Sequence, residues 1–303
     1  MRLLVTGASG YLGGELVRQA CRAGWAVTGT FLSAPGDGGL SAPSGGGLSG
    51  PGDGGLSGPG GGGRLDWRRL DVTDRAAVSH LVAALRPDAV VHAASGRTLD
   101  DWAAIADGAA HVAVAAAAAG ARLVHVSSDA VFSGHAAPYD ETALPDPVDR
   151  YGAAKAAAET AVCAVCPGAA MVRTSLVLGD GRSKHERFAL DLTEGRVAGA
   201  LFTDELRCPV HVSDLAAALR ELADVSAPGG FCGVLNVAGA DALSRHQLGE
   251  LIAVRHGLDP RRVPAGRSAT LGTPRPLDTR LDTALARHVL RTPLRGAREF
   301  LTT

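Results

Sequence analysis

The first thirteen residues place three glycines between a short apolar run and an amphipathic stretch. Arg2–Thr6 is apolar but too short for a helix, which favours a buried parallel strand. In the turn that follows, Gly7 permits a tight bend, Gly10 lets the backbone approach a pyrophosphate, and Gly13 permits close packing of helix on strand. A helix is predicted from about residue 12 to 23, and its N-terminal N–H groups would face a phosphate. The sequence therefore predicts a dinucleotide-binding turn.

The chain then alternates between short apolar runs and helical patterns. Predicted strands cover residues 26–31, 89–92, 123–127 and 170–173, and predicted helices cover residues 76–85, 102–119 and 152–165. This alternation predicts an α/β fold with a Rossmann-type, doubly wound parallel sheet and a smaller C-terminal substrate-binding lobe. We expect an NAD(P)-binding Rossmann domain over residues 1–175. Residues 176–303 would be mainly the substrate-binding lobe, with a return to the Rossmann domain near 207–224.

One segment departs from the alternation. Between residues 34 and 63 an octapeptide repeats, with prolines at a period of eight residues at Pro35, Pro43, Pro51 and Pro59. Gly, Ser and Pro at this density cannot bury enough apolar surface to offset the entropy lost on ordering. We therefore predict a flexible insertion in a tolerant surface loop.

Composition excludes several classes of protein. Lys and Arg number 30 against 31 Asp and Glu, whereas a nucleic-acid-binding protein would carry a basic face. No apolar run approaches the roughly 20 residues that cross a bilayer, and no cleavable secretion signal is recognisable. The five scattered cysteines are typical of reduced thiols, so we expect a cytoplasmic enzyme with neither a nucleic-acid nor a membrane partner.

Two of these cysteines have the spacing of metal ligands. Cys163 and Cys166 are separated by two residues, but no second Cys or His pair accompanies them. Both fall in an Ala- and Val-rich predicted helix, so we expect buried structural thiols and no metal site.

A tyrosine and a lysine four residues apart open the predicted helix 152–165. The spacing places Tyr151 and Lys155 on one face, one turn apart, and a nearby ammonium is expected to lower the pKa of the phenol. Alone, this pair is common by chance. Here it follows a predicted strand that ends near Ser128, whose hydroxyl could reach the same carbonyl oxygen, and the order of the motifs indicates carbonyl proton-transfer chemistry.

Together these motifs resemble the dTDP-4-dehydrorhamnose reductase family of extended short-chain dehydrogenases/reductases. The resemblance covers nearly the whole chain outside the repeat. It rests on LLVTGASGYLG (3–13), LDVTD (70–74), RPDAVVHAAS (86–95), GARLVHVSSDAVFSG (120–134), YGAAKAAAE (151–159), VRTSLVLG (172–179), CPVHVSDLA (208–216) and RPLDTRLD (275–282).

The resemblance implies roles for individual residues. Tyr151 would be the general acid, Ser128 would hold the substrate oxygen, Lys155 would bind both the tyrosine and the nicotinamide ribose, and Asp129 would join Ser128 in substrate binding. The remaining cofactor-binding residues would be Gly7, Gly10, Tyr11, Leu12, Gly13, Asp71, Val72, Ala93, Ala94 and Ser95.

The chain departs from the family pattern at three positions. Ala130 and Leu176 stand where the family often carries a Tyr and a Trp that contact the nucleotide sugar, which puts that exact substrate in doubt. Ile105 stands where the superfamily usually has an Asn, which weakens a proton relay.

Cofactor choice depends on the end of the second strand. An acidic residue there would bind the ribose 2′-OH of NAD, but the chain has Thr30, Phe31 and Ser33. NADP(H) is therefore slightly favoured over NAD(H), although no arginine is nearby unless Arg64 returns after the insertion.

The resemblance implies an NAD(P)H-dependent reductase of a keto group on a nucleotide-activated sugar or a related small molecule. An epimerase or dehydratase on the same scaffold remains open. A cofactor-binding regulatory subunit also remains open, because the non-catalytic β subunit of methionine adenosyltransferase resembles this family too. We expect a small-molecule substrate and leave open a homodimer.

Overall fold

A computed structural model of the chain describes residues 1–33, 56–57, 63–96, 98–226 and 229–302. The strands are β1 Arg2–Thr6, β2 Ala26–Phe31, β3 Leu56–Ser57, β4 Arg64–Arg69, β5 Ala89–His92, β6 Arg122–Val126, β7 Ala170–Thr174, β8 Val177–Leu178, β9 Leu201–Phe202, β10 Leu206–Arg207, β11 Val210–His211, β12 Gly233–Val237, β13 Leu243–Ser244 and β14 Ala265–Gly266. The α-helices are α1 Tyr11–Arg22, α2 Arg75–Leu85, α3 Gly108–Ala118, α4 Arg150–Val165, α5 Lys184–Thr193, α6 Val212–Ala223, α7 Arg245–Arg255, α8 Ala284–Val289 and α9 Ala297–Thr302.

The fold is α/β, as predicted. Among the described residues the main sheet has eight strands, seven of which are parallel and form a Rossmann-like sheet. The short β3 pairs antiparallel with β4. Smaller two-stranded sheets join β8 to β11, β9 to β14 and β10 to β13.

The first compact unit comprises Met1–Val126, Ala158–Met171 and Leu219–Gly233. Its strands follow the order β6-β5-β1-β2-β4-β3. Strand β1 runs parallel to both β2 and β5, and its Leu3, Leu4 and Val5 are almost wholly buried, as a strand covered on both faces requires. Parallel pairing brings the carboxyl ends of β1, β2, β4 and β5 to one edge, where ligands bind in open α/β sheets.

The second compact unit comprises Ser127–Ala157, Val172–Ala218 and Val234–Thr303. Two hydrophobic clusters lie among its described residues. The larger includes Leu178, Leu243 and Phe300, and the smaller includes Phe132 and Tyr139, whose stacked rings are 3.9 Å apart. Phe132 of the smaller cluster follows Ser128 by four residues, so the cluster supports the turn that carries the Ser128 hydroxyl.

In the first unit, the start of the helix expected over 102–119 and strand β4 differ from the sequence prediction. The helix expected over 102–119 begins with a π-helical turn at Ala103–Asp107 before α3. A π turn holds an extra residue, which allows the successive Ala104, Ile105 and Ala106 all to be buried. Strand β4 was not predicted, because its sequence RLDWRR lacks the apolar pattern of a strand and belongs to a half-exposed part of the sheet.

Most of the predicted flexible insertion, residues 34–55 and 58–62, lies outside the described residues. Within the predicted span, Leu56–Ser57 forms β3, and Gly63 is buried where a Cβ atom would lie 2.5 Å from the Cys21 carbonyl oxygen. In the part of the chain that the structure describes, no helix is both long and apolar enough to span a membrane. The predicted domain boundary at residue 175 stays a prediction.

Gly152 provides a test of the packing at the start of α4. A Gly-to-Ala change inside a helix normally stabilises by about 1 kcal/mol. At Gly152 the new Cβ would lie 2.0 Å from the Ala130 carbonyl oxygen. We therefore expect Gly152→Ala to lower the free energy of unfolding by about 1–3 kcal/mol, measured by denaturant titration. The control is Gly168→Ala, because a Cβ at Gly168 meets nothing within 4 Å. Unchanged stability of Gly152→Ala would contradict this packing.

Candidate active site

The glycine turn after β1 is too crowded for side chains. Gly7 has a positive φ of 71°, and a Cβ there would lie 2.7 Å from the Ala94 backbone nitrogen. A Cβ on Gly13 would lie 2.2 Å from the Gly7 carbonyl oxygen. These contacts bring the first turn of α1 against the end of β1, the arrangement by which Rossmann folds present backbone N–H groups to a pyrophosphate.

A cavity of about 320 Å³ opens beside this turn, within the first unit. Its lining is Gly7, Ser9, Gly10, Thr30, Phe31, Leu32, Ser33, Leu70, Asp71, Val72, Thr73, Ala93, Ala94, Ser95, Gly96, Asp101 and Ala104. The structure thus brings seven of the predicted cofactor residues together, whereas Tyr11, Leu12 and Gly13 lie in α1 outside the lining. The bare glycine cradle, the volume and the position at the carboxyl ends of four strands all fit a dinucleotide.

Asp71, one of the two acidic residues in this lining, already forms hydrogen bonds within the protein. The Asp71 carboxylate accepts hydrogen bonds from the Thr73 hydroxyl and the Thr73 backbone N–H, at 2.7 and 2.9 Å. These bonds hold the pKa of Asp71 below its usual value. Asp71 is therefore a fixed anion at neutral pH that orders the turn after β4.

The position of Arg64 differs from the sequence expectation. Strand β4 is parallel to β2, so Arg64 at its start lies at the opposite end of the strands from the cavity. It lines a separate cavity with Arg2, Asp66 and Pro87. The arginine that lies at the end of β2 is instead Arg69, whose Nε donates to the Leu32 carbonyl oxygen over 3.1 Å.

The three predicted catalytic residues lie in the second unit. Ser128 ends the extended segment after β6 and caps a short 3₁₀ turn, where its hydroxyl accepts a hydrogen bond from the Ala130 N–H at 3.2 Å. Ser128 also hydrogen-bonds the Tyr151 phenol. The Lys155 ammonium lies 5.9 Å from the centre of the Tyr151 ring, and Lys155 is buried.

The sequence predicts that Lys155 lowers the pKa of Tyr151, but in the structure the pKa of Tyr151 is raised. Desolvation of the phenol, reinforced by the negative charges of Asp129 and Asp149, raises the pKa of Tyr151 to about 12, although the hydrogen bond with Ser128 opposes this shift. The folded protein therefore holds this phenol in its protonated form at neutral pH. Such a group can donate a proton but is a poor base.

Asp129 is the most densely bonded group beside this pair. Its carboxylate accepts hydrogen bonds from Ser175 Oγ at 2.7 Å, Thr279 Oγ1 at 3.2 Å and Ser128 Oγ at 3.3 Å. Arg207 Nε lies 3.8 Å from the same carboxylate. The sequence analysis assigned no role to Ser175, Thr279 or Arg207. Ser175 and Thr279 nevertheless belong to the VRTSLVLG and RPLDTRLD blocks that carried the family resemblance.

Arg207 leads into a group of basic side chains that the sequence did not predict. This basic cluster comprises Lys184, His185, Arg207, Arg245 and Arg275. Glu205 is paired with Arg275 and lies 3.8 Å from Arg207. Among the described residues, neither Arg245 nor Lys184 has a carboxylate within ion-pair distance.

The charges in the basic cluster destabilise one another. Burial, and then the charge of Arg207, lower the pKa of Arg245 to about 10. Burial, and then the charges of Arg245 and Lys184, lower the pKa of His185 to about 3. His185 is therefore neutral at pH 7 and lies 3.5 Å from Arg245. Because these buried basic side chains repel one another, the basic cluster favours the binding of an anion.

The cysteine pair differs in part from its prediction. Cys163 is exposed and Cys166 is half-buried, so the expectation that both thiols are buried is wrong. Within the described ranges, no group of three or more His, Cys, Asp or Glu side chains could hold a metal ion.

Sequence comparison matches residues 1–303 to the family model described as the RmlD substrate binding domain. A dTDP-4-dehydrorhamnose reductase of Mycobacterium tuberculosis is 31% identical over 318 residues, covering 100% of this chain and 91% of that protein. The methionine adenosyltransferase 2 subunit beta of Rattus norvegicus is 27% identical over 300 residues, covering 93% of this chain and 80% of that protein.

Solved structures share the fold at lower identity. A dTDP-4-dehydrorhamnose reductase from Bacillus anthracis in complex with NADP superposes with a TM-score of 0.76 at 23% identity, covering 99% of this chain and 96% of that one. MoeE5 in complex with UDP-glucose and NAD gives a TM-score of 0.78 at 24% identity, covering 100% and 97%. These relatives bind NADP in one case and NAD in the other.

The pKa of Tyr151 can be measured directly, because the chain has only three tyrosines. The elevated pKa predicts that Tyr151 stays protonated as the pH rises through the neutral and mildly alkaline range. In ligand-free protein, absorbance at the tyrosinate band should therefore be the same for wild type and Tyr151→Phe up to about pH 10. Loss of one tyrosinate signal below pH 9 in the variant would contradict the desolvated site.

Proposed function

Because the chain belongs to the RmlD substrate-binding domain family, we propose that it is an NAD(P)H-dependent reductase of a keto group on a nucleotide-activated sugar. The observation that carries this proposal is the protonated Tyr151 phenol, hydrogen-bonded by Ser128 and flanked by Lys155. Reduction of a carbonyl needs a proton donor at the oxygen, and a protonated phenol beside a serine hydroxyl and a lysine ammonium can supply that proton.

Each catalytic side chain has a distinct task in this proposal. The chemistry that a reduced nicotinamide would supply when bound is a hydride for the carbonyl carbon. Tyr151 donates its O–H proton to the oxygen as negative charge develops there, and the Ser128 hydroxyl holds the same oxygen. The ammonium of Lys155 stabilises the phenolate that remains after proton transfer.

The cofactor would be held by the cavity of the first unit. The N–H groups at the start of α1 would bind the pyrophosphate beside Gly10, with Asp71 and Val72 against the adenine. Ala93, Ala94 and Ser95 would line the remainder of the dinucleotide.

Asp129 has a positioning role in this proposal rather than direct contact with substrate. Its two oxygens already accept three hydroxyl donors, and it is almost wholly buried. Through its bonds to Ser175 and Thr279, the carboxylate fixes the turn that carries Ser128. When a carbonyl binds, the single Ser128 proton would turn from Asp129 to the reacting oxygen.

The basic cluster supports an anionic substrate. A nucleotide-activated sugar carries a diphosphate, and the guanidinium of Arg245 has no carboxylate within ion-pair distance among the described residues. Removing such an arginine loses charge-assisted hydrogen bonds to the ligand but relieves a buried charge that Glu205 and Asp129 compensate only in part in the free protein.

Activity should depend on the hydroxyl of Tyr151 and not on its ring. Tyr151→Phe keeps the ring and removes the acid, so we expect turnover to fall by about 10²–10⁴-fold while cofactor affinity is kept. The assay follows oxidation of NADPH and NADH with dTDP-4-keto sugars as substrates. Equal turnover in variant and wild type would overturn the assignment of the acid. Cofactor binding without turnover of any keto sugar by the wild type would favour the regulatory-subunit alternative.

Arg245 should act on substrate affinity rather than on stability. We expect Arg245→Met to raise KM for a nucleotide sugar by about tenfold or more, with a smaller change in kcat and no decrease in Tm. The control is Arg261→Met, since Arg261 is 89% exposed and paired locally with Asp259. A lower Tm with unchanged KM would show that Arg245 is structural.

A further inference from the structure

Arg69 ends β4 at the edge of the cofactor cavity. Parallel pairing places it directly beside Phe31, the last residue of β2. Its side chain extends over the end of β2, where Nε donates to the Leu32 carbonyl oxygen at 3.1 Å. Leu32 and Leu70, the next residue after Arg69, both line the cavity. A cation is thus tethered at the point where β2 ends.

The end of β2 is where a Rossmann fold contacts the adenosine ribose, and an acidic residue there would select NAD. The cavity-lining residues at the end of β2 are Thr30, Phe31, Leu32 and Ser33. None of these carries a charge, so no β2 carboxylate is present to bind a 2′-OH or to repel a phosphate. Among the described residues, no Lys or Arg lines the cavity itself, which leaves Arg69 as the cation at its rim.

Among the described residues, the Arg69 guanidinium donates a hydrogen bond through only one of its N–H groups, the Nε–H. The bond from Nε to Leu32 fixes the direction of the side chain, and the structure gives its two terminal nitrogens no partner among the described residues. A tethered arginine with free terminal N–H groups has the fork geometry that binds a phosphate through two bonds. Arg69 is exposed, so an incoming anion can reach it.

Asp71 does not neutralise this arginine. Its carboxylate is bonded to Thr73, and Arg69 is the weakest of the influences that lower its pKa. The neighbouring Arg68 differs from Arg69, because it forms an ion pair with Asp66 at 2.9 Å. Successive strand residues also point to opposite faces of a sheet.

We propose that Arg69 recognises the 2′-phosphate of NADP(H), so that this chain prefers NADP(H) over NAD(H). This inference rests on the proposed function in one respect, because both place a nicotinamide dinucleotide in the cavity of the first unit. The inference adds which of the two dinucleotides binds there. Arg69 thereby determines cofactor specificity, in place of an arginine that follows β2 itself.

The test compares Arg69→Gln with the matched control Arg68→Gln. Dissociation constants are measured by titration calorimetry for NADPH and NADH, and for the fragments 2′,5′-ADP and 5′-AMP, which differ by the phosphate in question. We expect Arg69→Gln to weaken NADPH and 2′,5′-ADP by about tenfold or more and to leave NADH and 5′-AMP unchanged. Arg68→Gln should leave all four affinities unchanged.

A third variant separates charge from geometry. Arg69→Lys keeps the positive charge but lacks the planar fork, so it should weaken NADPH less than Arg69→Gln does. Equal weakening of NADPH and NADH by Arg69→Gln would overturn the proposal, because it would indicate a general role in shaping the end of β2. An unchanged NADPH affinity, or the same loss in Arg68→Gln, would overturn it as well.

These binding measurements do not depend on turnover. A protein that discriminates NADPH through Arg69 but reduces no keto sugar would keep this inference and overturn the proposed function. Reductase activity with unchanged cofactor preference in Arg69→Gln would do the reverse.

Discussion

The arrangement of the second unit depends on a buried carboxylate, that of Asp129. A buried anion is costly unless several donors satisfy it, and Asp129 is satisfied by residues from distant parts of the chain. Ser175 lies 46 residues away and Thr279 lies 150 residues away, and both donate to the same oxygen. Because the remaining oxygen accepts from Ser128, the requirement to satisfy this charge also orients the hydroxyl beside Tyr151.

In the proposed function, the two units would recognise anions by different physical means. In the first unit, the start of α1 lies against the end of β1 at Gly7 and Gly13, where a helix N-terminus can offer N–H groups to a phosphate. The cavity lining carries no cation within the described residues. In the second unit, basic side chains lie close together, and burial, followed by repulsion from Arg207, lowers the pKa of Arg245. The first arrangement fits a cofactor whose pyrophosphate is always present. The second fits a substrate that relieves the repulsion when it binds.

The sequence predicted correctly those elements whose local residue pattern agrees with their burial in the fold. The run at 89–92 matches β5 residue for residue, and the glycine turn was located correctly. Tertiary effects were not predictable in the same way. Strand β4 has no strand-like pattern, because its partners rather than its own side chains determine it. The raised pKa of Tyr151 arises from desolvation, which no spacing of Tyr and Lys encodes, and Arg69 approaches Leu32 across 37 residues.

The central claim, reduction of a keto group on a nucleotide-activated sugar, is tested most directly by following the hydride. The protein is incubated with a dTDP-4-keto sugar and a reduced nicotinamide cofactor deuterated at the transferring position, and the product is analysed by mass spectrometry and NMR. Reduction predicts one deuterium on the carbon that bore the ketone, together with a stoichiometric amount of oxidised cofactor. A product without deuterium, or a label that remains in the cofactor while the sugar is epimerised or dehydrated, would contradict it.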